Sequence, residues 1–293
     1  MELRHLDTLV AIAETGSFTG AAEALHTVQS NVSEQVRQLE ADLGVPLLVR
    51  GRRGAVPTEF GQRVLERARH IRQELVSLRQ DLSMLQGLEV GHASVGVVGT
   101  ISRWLVPRLV AETRPRAPGV SIRVTEGASE RLAADVADRL LAQAVVTEPV
   151  ADPRLVVEHL LVEDLVALVP IDLALAVEAP IPLAALAGHP MILPPASNPL
   201  RAEVELAAAA SGTVLRIPVE VEGIRLIADL VEAGVGVSVL PETAVPPDHP
   251  RLRTVAISDV PPRRLALVTA RNVQLSLADQ ALRDTLVRIM RSG

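Results

Sequence analysis

The 293-residue sequence contains no cysteine, no tyrosine and no lysine, and its aromatic residues are one tryptophan and two phenylalanines. Without cysteine, the chain can form no disulfide, no thiolate metal site and no cysteine nucleophile. With so few aromatic side chains, stacking on an aromatic ligand is hard to build, so we expect aliphatic walls in any binding cavity. All 29 basic residues are arginine against 35 acidic residues, and the net charge of -6 does not by itself suggest a nucleic-acid partner.

Long apolar runs are also missing. Arg, Asp, Glu or Pro interrupts each apolar stretch before the ~20 residues that a membrane helix needs. Acidic Glu2, Asp7 and Glu14 interrupt the N-terminal stretch, which is unlike a signal peptide. We therefore expect a soluble, cytoplasmic protein without a membrane partner. Hydrophobic residues make up 48% of the chain, which is enough for folded cores, and the length favours two or more packed units.

The first sixty residues have the pattern of three helices followed by a β-hairpin. Leu3, Leu6 and Leu9 recur at helical spacing, and Gly16 ends this helix. Ser17 can cap a second helix. The third helix has an apolar stripe formed by Val28, Val32, Val36, Leu39 and Leu43.

The third helix also has a polar face, and the hairpin has a basic turn. The face carries Gln29, Ser30, Ser33, Glu34 and Arg37, which can hydrogen-bond base edges or phosphates. The turn carries Arg50, Arg52 and Arg53 without an acidic neighbour. Such a helix can enter the DNA major groove while a basic wing reaches phosphate or the minor groove. Taken singly, a solvated helix face and an ordinary arginine-rich loop explain the same residues.

A long helix is predicted from Thr58 onward. Its apolar residues alternate spacings of four and three at Val64, Ala68, Ile71, Leu75, Leu78, Leu82 and Leu85. The other faces of residues 62–81 are rich in Arg, Gln and Glu, which favours a helix that pairs with its copy in a dimer. Packing of the helix on its own domain is the alternative.

The first sixty residues closely resemble the winged helix-turn-helix of LysR-type transcriptional regulators. The resemblance rests on FTGAAEALH, on S-x-Q-V-R-Q-L-E, on LG-V-P-L and on the TEFG that opens the long helix. It implies that Gln29, Ser30 and Ser33 face DNA bases and that Arg53 enters the minor groove or touches phosphate. Glu34 departs from the arginine usual in the family, so base preference or affinity should differ, because a carboxylate repels phosphate but can accept from cytosine N4.

In the rest of the chain, strand and helix signals alternate, which indicates an α/β fold. The resemblance implies an effector-binding region similar in fold to periplasmic solute-binding proteins, with two lobes between which the chain crosses twice. We therefore expect a winged helix-turn-helix DNA-binding domain at 1–58, a linker helix for dimerisation at 59–87 and an effector-binding domain at 92–293. Lobe one would comprise 92–163 and 265–293, and lobe two 164–264. Such a dimer or tetramer would bind double-stranded DNA and respond to a small-molecule effector.

Hydroxyl, amide and glycine residues follow several predicted strands where helices begin. They are Thr100, Ser102, Ser129, Ser197, Asn198 and Gly223. The resemblance implies that these positions converge on a ligand cleft, although helix capping explains each hydroxyl singly. Helix starts attract anions, and Arg103 and Arg201 are close in sequence, so we expect a compact, non-aromatic effector that is a carboxylate or a similar anion.

The sequence lacks the motifs of the common catalytic sites. Its seven histidines never fall at metal-ligand spacing, and no GxSxG, phosphate-binding loop or paired-carboxylate motif is present. We therefore expect no catalysis, cofactor or metal. The segment 234–238, GVGVS, lacks the third glycine of a dinucleotide fingerprint, and a tight turn explains it better.

The sequence leaves two questions open, one about the edge of the ligand cleft and one about the function. Residues 139–145 lack the Gly and Asp of the family's G-x-L-D-L-A-I motif, which puts the local edge of the cleft in doubt. The alternative function from another class is a solute-binding or effector-sensing protein without DNA activity.

Overall fold

The structure is a computed structural model that describes residues 1–51, 54–85, 91–175, 179–245 and 250–292. The chain forms two compact units, Met1–Leu82 with Asp138–Leu140, and Ser83–Ala137 with Leu141–Gly293. Buried aliphatic side chains form the cores of both units. Within the described residues, no helix combines the length and the apolar character needed to cross a membrane.

Three helices open the N-terminal unit, as the periodicity predicts. They are α1 (Leu3–Thr15), α2 (Phe18–Ala24) and α3 (Gln29–Leu43). Gly16 ends α1 in the left-handed conformation (φ 73°), which glycine adopts without steric cost. Ser17 Oγ caps α2 by accepting a hydrogen bond from the Gly20 backbone N–H at 3.0 Å. One helix therefore ends and the next begins within two residues.

Side chains from these helices form the core of the N-terminal unit. Leu9, Val32 and Leu39 have no exposed surface, and burying a side chain of this size stabilises the fold by about 2 kcal/mol. The apolar stripe on α3 is shorter than predicted at both ends. Val28 is the N-cap residue and is 64% exposed, and Leu43 lies in the last turn and is 37% exposed.

The predicted hairpin follows as β1 (Leu48–Gly51) and β2 (Gly54–Pro57), and the long helix follows as α4 (Glu59–Leu85). The first turns of α4 join the helical core through Leu65 and Ala68, which are 1% and 0% exposed. Leu65 lies outside the predicted heptad seam. The seam residues Ile71, Leu78 and Leu82 are exposed in the single chain. The start of α4 therefore belongs to the core, and an aliphatic stripe further along faces solvent.

The C-terminal unit alternates strands and helices, as the sequence predicts. Its first elements are β3 (Gly91–Val98), α5 (Gly99–Thr113), β4 (Val120–Gly127), α6 (Ser129–Ala137), β5 (Gln143–Thr147) and β6 (Leu155–Glu163). The next are β7 (Leu165–Pro170), β8 (Ile192–Leu193), α7 (Pro199–Ala210), β9 (Val219–Glu220), α8 (Ile224–Glu232), β10 (Ser238–Pro241) and β11 (Leu252–Ala256). The last are β12 (Arg263–Ala270) and α9 (Leu277–Ser292).

These strands surround two separate hydrophobic cores. Within the described residues, the larger sheet has the order β4-β3-β5-β12-β6, while β10-β7-β11 and the pair β8-β9 belong to the other core. We call the larger sheet with α5, α6 and α9 lobe one, and the smaller sheets with α7 and α8 lobe two. The chain leaves lobe one after Glu163 and returns at Arg263. Both passages lie side by side, because Arg263 is paired with Glu163 in the β12–β6 ladder.

Strands β3 and β4 bring two helix starts to one edge of lobe one. They are parallel, and Val98 at the end of β3 is in register with Gly127 at the end of β4. Helix α5 starts directly after β3, and α6 starts two residues after β4. Since the first amides of a helix have no partner within it, both helices direct unpaired N–H groups and positive dipole ends to this edge.

The segment that departs from the family motif keeps its place in the sheet. Arg139, where the family has glycine, has a φ of 57°, in the left-handed region that costs other residues about 1 kcal/mol. Gln143 at the start of β5 is fully buried, and its Nε2 donates to the Asp279 carbonyl oxygen at 3.0 Å. All of β5 is buried, so the departures leave the strand intact.

The glycines of GVGVS have structural reasons, as the tight-turn interpretation predicts. Gly234 follows α8 in the left-handed conformation, with a φ of 76°. A Cβ atom on Gly236 would lie 2.1 Å from the Pro190 carbonyl oxygen. The Val237 N–H donates to that same oxygen at 2.9 Å, so the two backbones are held in contact.

Gly236→Ala should therefore destabilise the protein by about 1–3 kcal/mol, because the new methyl group meets backbone that a hydrogen bond holds in place. Gly188→Ala is the matched control in lobe two, since a Cβ atom there has open space, and it should change stability by less than about 1 kcal/mol. Urea denaturation followed by circular dichroism measures both. Equal stability of the two variants would contradict the close approach.

Candidate functional site

The polar face predicted on α3 lies at the surface of the N-terminal unit. Gln29, Ser30 and Arg37 are exposed, and Ser33 and Glu34 are half-buried. Gln29 Nε2 donates a hydrogen bond to Ser33 Oγ at 3.0 Å, so these side chains form a connected polar pair one turn apart. Amide and hydroxyl groups of this kind are the ones that hydrogen-bond the edges of DNA bases.

Glu34 is tied to its own helix. Its carboxylate accepts hydrogen bonds from Arg37 Nε at 2.8 Å, from Arg37 Nη2 at 2.6 Å and from Gln38 Nε2 at 2.8 Å. These bonds, above all those from Arg37, lower the pKa of Glu34 to about 2, and the same pairing raises the pKa of Arg37. Glu34 is therefore ionised at neutral pH, and it both orients the Arg37 guanidinium and offsets its charge.

The basic turn lies only partly within the described residues. Arg50 is in β1, where its backbone pairs with Ala55 of β2. Arg52 and Arg53 lie outside the described residues, and their predicted contacts with DNA stay predictions. The hairpin is anchored to the helical core, because the Ala55 N–H donates to the Gly16 carbonyl oxygen at 3.1 Å.

A cavity of about 340 Å³ lies between the two lobes of the C-terminal unit. Lobe one contributes Val98, Gly99, Thr100, Glu126, Gly127, Ala128, Ser129, Thr147 and Arg263. Lobe two and its loops contribute Pro195, Ser197, Asn198, Pro199, Leu200, Glu222 and Ile224. The volume suits a small molecule. The apolar residues in this lining are aliphatic, as the scarcity of aromatic residues predicts.

The structure brings four of the predicted effector residues together at this cavity. Thr100 lies in the first turn of α5, and Ser129 opens α6. Ser129 Oγ accepts a hydrogen bond from the Thr147 N–H at 3.0 Å. Across the cavity, Ser197 is exposed, and Asn198 Oδ1 caps α7 by accepting from the Leu200 N–H at 3.0 Å. Ser129 and Asn198 thus hold the local backbone and line the cavity at once.

Ser102 and Gly223 are not among the lining residues. Ser102 is buried, and its Oγ donates to the Gly99 carbonyl oxygen at 3.0 Å. Gly223 is the N-cap residue of α8 and lies between the lining residues Glu222 and Ile224.

The two arginines expected near the ligand do not line the cavity either. Arg201 is buried, and its guanidinium binds Glu205 at 2.7 Å, Glu220 at 3.3 Å and the Pro194 carbonyl oxygen at 3.1 Å. Arg103 is half-buried on α5, outside the lining. Positive charge reaches the cavity from a different residue.

That residue is Arg263, at the start of β12, which the sequence reasoning did not single out. Its side chain is 5% exposed, and its Nε donates to Glu163 Oε1 at 2.5 Å. Arg263 Nη2 also donates to Thr100 Oγ1. Glu163 Oε2 accepts a hydrogen bond from Thr243 of lobe two at 2.5 Å. One buried network therefore joins both chain passages between the lobes to the start of α5.

Two carboxylates face the cavity from opposite lobes. Glu126 is the last residue but one of β4, and Glu222 precedes α8. Both are exposed, and neither forms an ion pair with any residue that the structure describes. A Cβ atom on Gly99 would lie 3.2 Å from Glu126 Oε1, so the Glu126 carboxylate sits at the start of α5.

Two family profiles match the chain. Residues 3–62 match the bacterial regulatory helix-turn-helix protein of the lysR family, and residues 86–291 match the LysR substrate binding domain. The HTH-type transcriptional regulator YfeR of Shigella flexneri is 31% identical over 285 residues, covering 97% of this chain and 92% of that protein. The HTH-type transcriptional activator CmpR of Synechocystis is 31% identical over 238 residues, covering 81% of this chain and 78% of that protein.

Solved structures share the fold over the whole chain. A full-length OxyR variant from Pseudomonas aeruginosa superposes with a TM-score of 0.75 at 24% identity, covering 99% of this chain and 95% of that one. CbnR in complex with its target DNA superposes with a TM-score of 0.67 at 23% identity, covering 98% and 99%. The predicted fold class, a winged helix-turn-helix followed by a long helix and a two-lobed α/β domain, is confirmed.

Glu163→Gln should destabilise the protein by about 3 kcal/mol, because it leaves the Arg263 charge buried without its ionised partner. Glu112→Gln is the matched control, since it breaks the solvent-exposed pair of Glu112 with Arg288, which should cost about 1 kcal/mol or less. Urea denaturation of both variants measures the difference. A loss for Glu163→Gln no larger than that of the control would show that the buried pair contributes little.

Proposed function

Because the chain belongs to the LysR family of transcriptional regulators, we propose a role for each part of this DNA-binding, effector-responsive regulator. Helix α3 reads base edges with Gln29, Ser30 and Ser33, and Arg50, Arg52 and Arg53 of the wing contact phosphate or the minor groove. A small molecule between the lobes changes how the helix-turn-helix domains sit on DNA. The observation that carries the proposal is that one chain contains both the polar α3 face and a polar-lined cavity.

The division of the chain follows the same proposal. The DNA-binding domain comprises 1–58, the linker helix 59–87 and the effector-binding domain 92–293. Lobe one takes 92–163 and the C-terminal segment, and lobe two takes 164 up to the return strand. That strand begins at Arg263, so we place the return there, two residues before the boundary at 265 expected from the sequence.

In the same proposal, the regulator associates with copies of itself. We assign the contact to the aliphatic stripe of α4, where Ile71, Leu78 and Leu82 are 39%, 55% and 51% exposed. Pairing of this stripe with its copy removes apolar surface from water. A two-fold dimer also places two α3 helices on half-sites one turn of DNA apart, and a tetramer can form from two such dimers.

Other functions have less support. A solute-binding protein without DNA activity does not account for the helix-turn-helix match at 3–62. For catalysis, neither the Thr100 nor the Ser129 hydroxyl hydrogen-bonds a histidine or a carboxylate among the described residues, since Thr100 Oγ1 accepts from Arg263 and Ser129 Oγ accepts from a backbone N–H. The hydrogen peroxide-inducible genes activator of Escherichia coli is 27% identical over 277 residues, but thiol oxidation cannot be the signal in a chain without cysteine. We also propose that this regulator is located in the cytoplasm.

Ser33→Ala and Gln29→Ala should each reduce discrimination at one base position by about 1–3 kcal/mol, while binding to unrelated DNA changes little. Fluorescence anisotropy at constant salt, with DNA from upstream of the protein's own gene and its single-base variants, measures this. Asn31→Ala is the control, since Asn31 lies on another side of α3 and donates to Thr27 at 2.9 Å. A uniform loss on all sequences would mark Gln29 and Ser33 as backbone contacts.

Glu34→Gln should strengthen binding to unrelated DNA, because Arg37 loses the charge that offsets its own. The slope of log affinity against log salt should become steeper by about one unit, as for one added phosphate contact. Glu14→Gln removes the same charge from α1 and should leave the slope unchanged. If both variants changed binding equally, net charge and not the Glu34–Arg37 pair would be responsible.

A further inference from the structure

The charges around the cavity modify the expectation of a purely anionic effector. The guanidinium of Arg263 faces the cavity, but Glu163 already offsets its charge at 2.5 Å. Glu126 and Glu222 face the cavity without ionic partners among the described residues. A ligand with negative charge at both ends would be repelled by these carboxylates.

The same cavity still attracts one carboxylate. The starts of α5 and α6 both contribute lining residues, and helix starts favour negative charge through their dipoles and unpaired amides. The start of α7 also lines the cavity but offers no such amide, because Pro199 has no N–H and the Leu200 N–H is capped by Asn198. No side chain caps the start of α5, whose N-cap residue is Val98. Arg263, with its side chain 5% exposed, lies directly behind Thr100 and donates to its hydroxyl. A ligand carboxylate at this start would meet the first amides of α5 and the Thr100 hydroxyl, whose oxygen accepts from Arg263 and whose O–H can donate to the ligand.

The carboxylate-binding position and an acidic residue are adjacent. Glu126 Oε1 lies at the first residue of α5, 3.2 Å from where a Cβ atom on Gly99 would be. A molecule whose positive group is next to its carboxylate can therefore satisfy both at once. We propose that the effector is a small zwitterion with an ammonium group beside its carboxylate, such as an aliphatic or neutral amino acid. Glu126 and Glu222 bind the ammonium, and the start of α5 with Arg263 binds the carboxylate.

The remaining lining agrees with this class of ligand. Val98, Pro195, Leu200 and Ile224 supply aliphatic contacts for a side chain, and the volume of about 340 Å³ limits the ligand to a compact molecule. Ser197 and Asn198 add hydrogen-bonding groups on the side of lobe two. The inference rests on the proposed function, since it names the class of molecule that the proposed effector cavity takes.

The test begins with the full-length chain and the common L-amino acids, added one at a time in a thermal-shift measurement. At least one should raise the melting temperature, because a ligand that binds only the folded state stabilises it. Calorimetry then compares that amino acid with the same molecule lacking its ammonium and with the same molecule lacking its carboxylate. For L-valine these are 3-methylbutanoate and isobutylamine. Each should bind about tenfold more weakly or worse, since each lacks one of the two charge contacts.

Variants separate charge recognition from a structural effect. Glu126→Gln and Glu222→Gln should each weaken binding of the amino acid by about tenfold, because each removes a partner of the ammonium. The same changes should not weaken binding of the molecule without its ammonium. Glu130→Gln is the control, since Glu130 is exposed on α6 outside the lining, and it should leave both affinities unchanged.

The proposal would be overturned if no amino acid raised the melting temperature. It would also be overturned if the molecule without its ammonium bound as tightly as the amino acid or more tightly, or if the Glu126 and Glu222 variants bound the amino acid more tightly than the unchanged protein. Succinate in the same screen distinguishes this failure from failure of the proposed function. If succinate raised the melting temperature and no amino acid did, the cavity would still bind an effector, but that effector would be an anion. Absence of sequence-specific DNA binding, measured separately, overturns the regulator itself.

Discussion

The buried ion pair between Arg263 and Glu163 is the interaction on which the C-terminal unit depends. It joins the last residue of β6 to the first residue of β12, which are the two places where the chain passes between the lobes. Separating two charges that are about 5% exposed leaves each without compensation, which costs several kcal/mol. The passages are therefore coupled, and Thr100 and Thr243 extend the coupling to the cavity and to lobe two. A ligand bound at the start of α5, as we propose, would contact this network through Thr100.

The N-terminal unit places a different constraint on function. The start of α4 is part of the helical core through Leu65 and Ala68, while its later turns carry the exposed aliphatic stripe. One rigid element thus connects the DNA-reading domain to the surface that we assign to association. Because α4 is continuous, the geometry of the proposed α4 dimer would set the spacing of its two α3 helices, and through it the spacing of the half-sites.

The sequence predicts most of the fold because its signals are local. Gly16, Ser17 and the spacing of Leu3, Leu6 and Leu9 identify the first helices, and strand ends locate Thr100 and Ser129. Arg263 was missed because its partner Glu163 is a hundred residues away, and nothing in the local pattern distinguishes it from an exposed arginine. The alternation of strand β12 is the signal that could have found it, because it places Arg263 on the same face as the buried Leu265 and Leu267. The expectation that Arg201 adds positive charge near the ligand was wrong, because Glu205 and Glu220 pair with its guanidinium.

The central claim is that this chain is a sequence-specific DNA-binding protein whose polar α3 face reads bases. The most direct measurement compares the affinity of the full-length chain for DNA from upstream of its own gene with its affinity for scrambled DNA of the same composition, in the same salt. The account predicts tighter binding to the upstream DNA by about a thousandfold or more, with protection of two half-sites in a footprint. Equal affinities for the two DNAs would contradict it.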